Sequence, residues 1–230
     1  MLVIKAVPEN ELAVTSELQF ESAFYPQELY IDGNKLIVIG SATRNQPVDK
    51  EREYFSSPTV KALVYDTSDK TKLTLAREVE VDGNYISSRK IDGAVYLVAR
   101  KYPDYYVMFA GTETGTGTGM VDGGDVRASA SGKRVVRRKS AFVPAFKDSA
   151  AAANFQKVPV RELFYFPGFS EPDFLVIAGF NLQDDTQSVE IKAFLGAGEQ
   201  VYASRKNLYV AASNYFDAWM LNPALEMPED

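Results

Sequence analysis

A pattern of four short strands, met three times along the chain, constrains the fold more than any other feature of this sequence. LVIKAVP, LAVTSELQF, PQELYIDG and KLIVIG open the chain. ALVYDTSDKTKLTLAREVEVDGNYISSRKIDGAVYLVAR and FLVIAGFNLQDDTQSVEIKAFLGAGEQVYASRKNLYVAAS repeat the pattern. Leu36, Val95 and Leu208 occupy equivalent places in the copies, as do Val38, Leu97 and Val210. Period-two alternation with β-branched and aromatic enrichment belongs to strands, because successive side chains point to opposite faces of a sheet.

The segments between strands agree. IDGNK at 31–35, IDGA at 91–94 and SRKN at 204–207 each join two strands, and Asp-Gly is a strong short-hairpin signal. PENE, TSDKT and LQDDT fill the other tight connection. A four-stranded antiparallel meander recurring at about 40 to 45 residues is the unit of a β-propeller blade. The sequence therefore predicts an all-β chain of four-stranded propeller blades, about three blade-equivalents in a single partial propeller. The frame places the last two strands of one blade at 2–21, a blade at 26–81, a blade at 84–195 and the first two strands of another at 198–213. Excess length falls between the second and third strands of both blades, at 42–59 and 101–172. Both are expected to emerge at one end, opposite the tight turns, since successive loops of a meander alternate between its ends. Inside the longer one, 150–155 is predicted to be a short helix, because consecutive alanines favour helix and Asp148 or Ser149 stands ready as an N-cap.

Composition excludes several chemistries. The 230-residue chain has no Cys and no His, which removes thiolate and imidazole nucleophiles, Ser-His-Asp catalysis and ordinary zinc sites. Its net charge of -6 repels phosphate backbones, so nucleic acid is not an expected partner. No stretch approaches the about 18 consecutive apolar residues of a membrane span, and the opening MLVIKAVPENELAV has too short an apolar run for a signal peptide.

YPQELYIDGNKLIVIG, VKALVYDTSDKTKL followed by REVEVDGNYISSRKIDGAVYLV, VPVRELFYFPG and GEQVYASRKNLYVA resemble the secreted bacterial and archaeal β-propeller proteins distantly related to WD40 repeats. The resemblance covers most of the chain. It implies an exported protein, extracellular or at the cell surface, whose full propeller is longer than this chain, and it brings no established catalytic residues. Propellers typically have about 4 to 8 blades, so closure is expected to come from the remaining blades of a longer chain or, alternatively, from a homodimer joined through its ends.

Four groups of residues are candidate sites. The segment GTETGTGTGMVDGGD, 111–125, offers backbone amides for an anion, or Asp122 and Asp125 for calcium. It matches neither a phosphate-loop nor a calcium-loop pattern, and its composition is that of a flexible loop. In GKRVVRRK, 132–139, Arg134, Arg137 and Arg138 gather positive charge that suits an acidic glycan or phosphate, although charge runs are usually solvated. The acidic turns at Asp66 and Asp69, and at Asp184 and Asp185, read as turn-forming side chains rather than metal ligands. Aromatic clusters flank the long insertion: Tyr102, Tyr105, Tyr106 and Phe109 before it, Phe164, Tyr165, Phe166 and Phe169 after it. They pin the insertion as a satellite core or form a sugar- or peptide-binding shelf.

The functional expectation is a non-catalytic binding or scaffolding module for a protein or glycan, since propellers present loops on a rigid frame. No cofactor is expected, calcium being the one candidate. The alternatives are a carboxylate-based or calcium-dependent hydrolase acting on glycans, which needs neither Cys nor His, and a self-assembling structural protein. Whether Glu28, Asp32 or Glu199 enters a converging carboxylate pair is left open by the sequence.

Overall fold

The computed structural model describes residues 1–49, 52–103, 142–165, 172–196, 200–204 and 206–211. Strands β1 (Leu2–Lys5) and β2 (Ala13–Glu17) pair as a separate hairpin sheet. Next, β3 (Tyr25–Asp32), β4 (Lys35–Asp49), β5 (Arg52–Asp66) and β6 (Thr74–Asp82) run as a consecutive antiparallel meander. A long excursion after β7 (Asn84–Ile91) and β8 (Ala94–Lys101) carries β9 (Ala145–Asp148), β10 (Ala152–Lys157) and β11 (Leu163–Tyr165). The chain then returns as β12 (Phe174–Asn181) and β13 (Glu190–Leu195), completing a second meander in the order β7-β8-β12-β13. Finally, β14 (Gln200–Ala203) and β15 (Leu208–Ala211) form their own hairpin.

The strand signals worked because burial is set by alternation. On β4, Ile37 and Ile39 face one side while Leu36, Val38 and Ala42 face the other, and all five are buried. A strand covered on both faces reads as a continuous apolar run, which is what LIVI is. The larger core lies between the two meanders, joining Ile37, Ile39, Val60, Ala62, Val64, Val79 and Val81 to Val95, Leu97, Ala99, Val176, Ala178 and Ile191. A smaller core on the opposite face of the first meander contains Leu36, Val38, Leu63 and Tyr65, with Phe24, Leu18 and Phe20 over it.

Two expectations about the insertions need correction. Residues 42–59 do not form a loop decorating the sheet; β4 and β5 stay paired from Lys35↔Asp66 out to Asp49↔Arg52, so the insertion is an extension of the same hairpin. Nor is 150–155 helical: 149–151 is a turn and 152–157 is strand β10. Alanine propensity is worth only about a few tenths of a kcal/mol per residue, whereas here the exposed edge of β6 offers a ladder. β9 takes it, pairing Val79↔Asp148 and Val81↔Phe146, and β10 pairs back on β9. Asp148 does serve the turn, accepting the Ala150 N–H at 3.1 Å.

The excursion also covers the edge of the second meander, where β11 pairs parallel to β13. Unpaired sheet edges are templates for aggregation, and covering them is a recurrent remedy. Both insertions leave their sheets at one end. Gly83, which follows β6, donates its N–H to Pro58 O at 2.9 Å beside the β4–β5 extension, and β8 enters the excursion at that same end, with Asn84 opposite Arg100. Arg44 bridges them, pairing with Asp82 at 2.6 Å and lying 4.1 Å from the Phe155 ring centroid.

One buried ion pair ties the excursion to both meanders. Arg77 on β6 donates to Asp148 through Nε at 3.0 Å and Nη2 at 2.7 Å, and to Gln187 O at 2.7 Å. Asp148 also accepts the Val189 N–H at 2.8 Å.

Candidate functional site

Antiparallel topology delivers the tight turns of both meanders to one end, and polar contacts lock them there. The β3–β4 turn meets the β5–β6 turn through Thr67 N–H donating to Asn34 O at 2.7 Å. Lys35 crosses to the other meander, donating to Leu182 O at 2.5 Å and to Asp185 at 2.8 Å. Asp32 accepts from Gln183 Nε2 at 2.6 Å and pairs with Lys90 at 2.7 Å. Within the second meander, Leu182 N–H donates to Gly93 O at 2.8 Å. φ angles of 56° at Gly33 and 50° at Asp92 place the left-handed residue where two-residue hairpins need it.

This rigid end carries a cleft of about 470 Å³. It opens on the face of the second meander opposite the main core, between the β7–β8 turn and the β12–β13 turn. Its floor is a cross-strand row in which Gly179 on β12 lies opposite Tyr96 on β8 and Glu190 on β13. A Cβ on residue 179 would stand 3.0 Å from Tyr96 Cε1 and 3.1 Å from Cδ1, so any larger residue presses on the ring; the ring is laid over the bare backbone. Asn181, Gln183, Gln187 and Ser188 supply amide and hydroxyl groups around it, and Asp92 sits on the rim.

A second polar group joins the first strands of the two meanders. Glu28 on β3 accepts from the Ser88 hydroxyl at 2.8 Å and from the Tyr30 hydroxyl. Tyr85 OH lies 3.0 Å from Ser88 Oγ. Burial alone would raise the Glu28 pKa, but hydrogen bonds from Tyr30, Ser88 and Tyr85 and the charge of Arg89 outweigh it and hold the carboxyl below its ordinary value. Tyr85 moves the other way: burial, with the neighbouring Glu28 adding to it, pushes the phenol up to about 12. Tyr30 is raised for the same two reasons. Near neutral pH this constellation is therefore one carboxylate and two phenols.

The candidate residues read from the sequence fall differently. Tyr102 is 50% exposed, with the Arg100 guanidinium 5.0 Å from its ring centroid. Tyr105, Tyr106, Asp122, Asp125, Arg134, Arg137 and Arg138 lie outside the described residues, as does Glu199. Phe164 stacks on Phe194 at 5.3 Å and so helps pin β11 to β13, while Tyr165 is 69% exposed. Glu28 and Asp32 share a face of β3, yet Asp32 is engaged by Lys90 and Gln183 and Glu28 by the hydroxyl network. The acidic turns are turn chemistry: Asp66 accepts the Ser68 N–H at 2.8 Å, Asp69 the Thr71 N–H at 2.9 Å and Asp184 the Thr186 N–H at 2.9 Å. Sequence reading missed the Tyr96, Gly179 and Glu190 row. The available signal was Gly179 inside FLVIAGFN, since an isolated glycine within a strand marks a close approach.

Consecutive four-stranded antiparallel meanders, packed face to face with their tight turns gathered at one end, define the β-propeller class. The sequence profile of the family described as Beta propeller domain matches residues 1–226, and the chain belongs to that family. No curated protein and no solved structure matches it.

Proposed function

We propose that this chain is a non-catalytic binding module of an extracellular or cell-surface protein, and that the turn end of the second meander receives its ligand, a protein or a glycan. The observation that carries the reading is the cleft itself: a concavity lined by polar side chains on turns that cross-meander hydrogen bonds hold in place, the usual setting of a ligand site. A thermal-shift screen of oligosaccharides, peptides and calcium, followed by product analysis on every hit, tests the reading. Stabilisation without turnover is the expected result. Cleavage of a stabilising saccharide, or stabilisation by calcium that switches on hydrolysis, overturns it.

A further inference from the structure

Resting on that reading, we infer that the cleft is a binding site for a neutral saccharide, gripped between the Tyr96 ring, laid on the bare backbone at Gly179, and the Glu190 carboxylate. The first argument comes from the repeat. Tyr96 stands between Val95 and Leu97 as Ile37 stands between Leu36 and Val38. In the first meander that position is a fully buried aliphatic packed against the neighbouring sheet. In the second meander the corresponding face, at its turn end, carries instead an aromatic ring, a glycine, an asparagine and a carboxylate. A face meant only to pack on another sheet gains nothing from that exchange, because each polar group brought into such a contact needs a partner.

The second argument is chemical. Sugars present an apolar C–H face beside hydroxyl groups that both donate and accept. An aromatic ring answers the first, and carboxylate and amide groups answer the second. Neighbouring strands are about 4.8 Å apart, so the Tyr96 and Glu190 strands, with β12 between them, are about 10 Å apart, the span of one to two sugar rings. Gly179 lets the Tyr96 ring lie across β12 towards Glu190. The lining contains no lysine or arginine among the described residues, while Glu190 and Asp92 form no ion pair among them. That balance disfavours phosphate, sulfate and uronic acids, and selects an uncharged ligand.

The intact chain is titrated by saturation-transfer NMR and calorimetry with a panel of neutral disaccharides (cellobiose, lactose and diacetylchitobiose) and with a uronic-acid disaccharide. At least one neutral sugar should bind, and the uronate more weakly. Glu190→Gln, at an exposed position, should weaken binding about tenfold, the worth of a hydrogen bond to a charged group, with the melting temperature unchanged. Gly179→Ala should weaken it as well by displacing the ring, and Tyr96→Phe, which keeps the ring, should retain it. No transfer to any neutral sugar at about 10 mM, equal or tighter binding of the uronate, or neutral binding indifferent to Glu190→Gln and Gly179→Ala overturns the inference. Peptide binding in the wider screen with no sugar bound overturns it while leaving the module reading intact. Turnover of a bound sugar sinks the module reading, and the same variants still decide whether the cleft holds it.

Discussion

Replacing Asp148 by asparagine should cost this protein about 3–5 kcal/mol, the penalty for breaking a buried ion pair by removing one partner. Arg77 and Asp148 side chains are 2% and 1% exposed, and two parallel hydrogen bonds join them. The asparagine keeps the shape but leaves the guanidinium charge uncompensated, facing neutral groups: its own amide oxygen, the carbonyls of Gln187 and Asn181 and the Phe180 ring. It also weakens the acceptor for Val189 N–H, loosening the β12–β13 turn from the excursion. For a chain of this size, about 2–4 °C per kcal/mol converts the loss into a fall of roughly 6–20 °C in melting temperature. The charge, not the volume, is responsible, so Arg77→Met with Asp148→Leu should recover most of it, apolar replacements of buried pairs being commonly neutral or better. The pH dependence has a definite sign. Burial pushes the Asp148 carboxyl up, but the Arg77 hydrogen bonds outweigh it, aided by the Val189 and Ala150 amides, so its folded pKa lies below the ordinary 3.8. Its contribution is therefore fully present above that ordinary value and is lost as pH falls through the folded pKa. Urea denaturation of wild type and Asp148→Asn at neutral and acid pH measures both effects. A loss under about 1 kcal/mol, the worth of a surface pair, would refute the argument, as would a double variant no better than the single one.

Two further outcomes follow from the geometry. Gly40→Ala places a Cβ 2.1 Å from Tyr25 O and 2.9 Å from Pro26 Cα; both are backbone atoms at the β3 bulge, so the strand itself must move, and chemical denaturation should show a loss of about 1–3 kcal/mol. Alkaline spectrophotometric titration should contain a tyrosine that ionises only at about 12, absent in Tyr85→Phe. Because that folded pKa lies above the unfolded value near 10, the group's contribution is complete below the unfolded value and disappears as pH rises through the folded one.

Strand identity, turn positions and the four-strand unit were legible in the amino-acid sequence because each is a local consequence of alternation and turn chemistry. Between the two meanders the equivalence holds in three dimensions: Leu36 and Val38 turn to the face covered by Leu18, Phe20 and Phe24 of the segment before β3, and Val95 and Leu97 turn to the meander that precedes theirs. Local reading failed where a long-range partner intervened. The alanines after Asp148 became a turn and a strand because the β6 edge and Arg77, 71 residues away in sequence, outweighed helix propensity. The 42–59 insertion became paired strand because two flanking strands already in register extend at little further entropic cost. The cleft was least legible of all. Tyr96, Gly179 and Glu190 carry no motif, and only sheet register sets them in one row. What the sequence by itself determined was the repeating unit and the chemistries that a chain without Cys and His cannot perform. Which side chains meet across strands, and hence where a ligand has room to lie, was decided by the tertiary structure, since contacts between residues that far apart in sequence exist only once the sheets have paired.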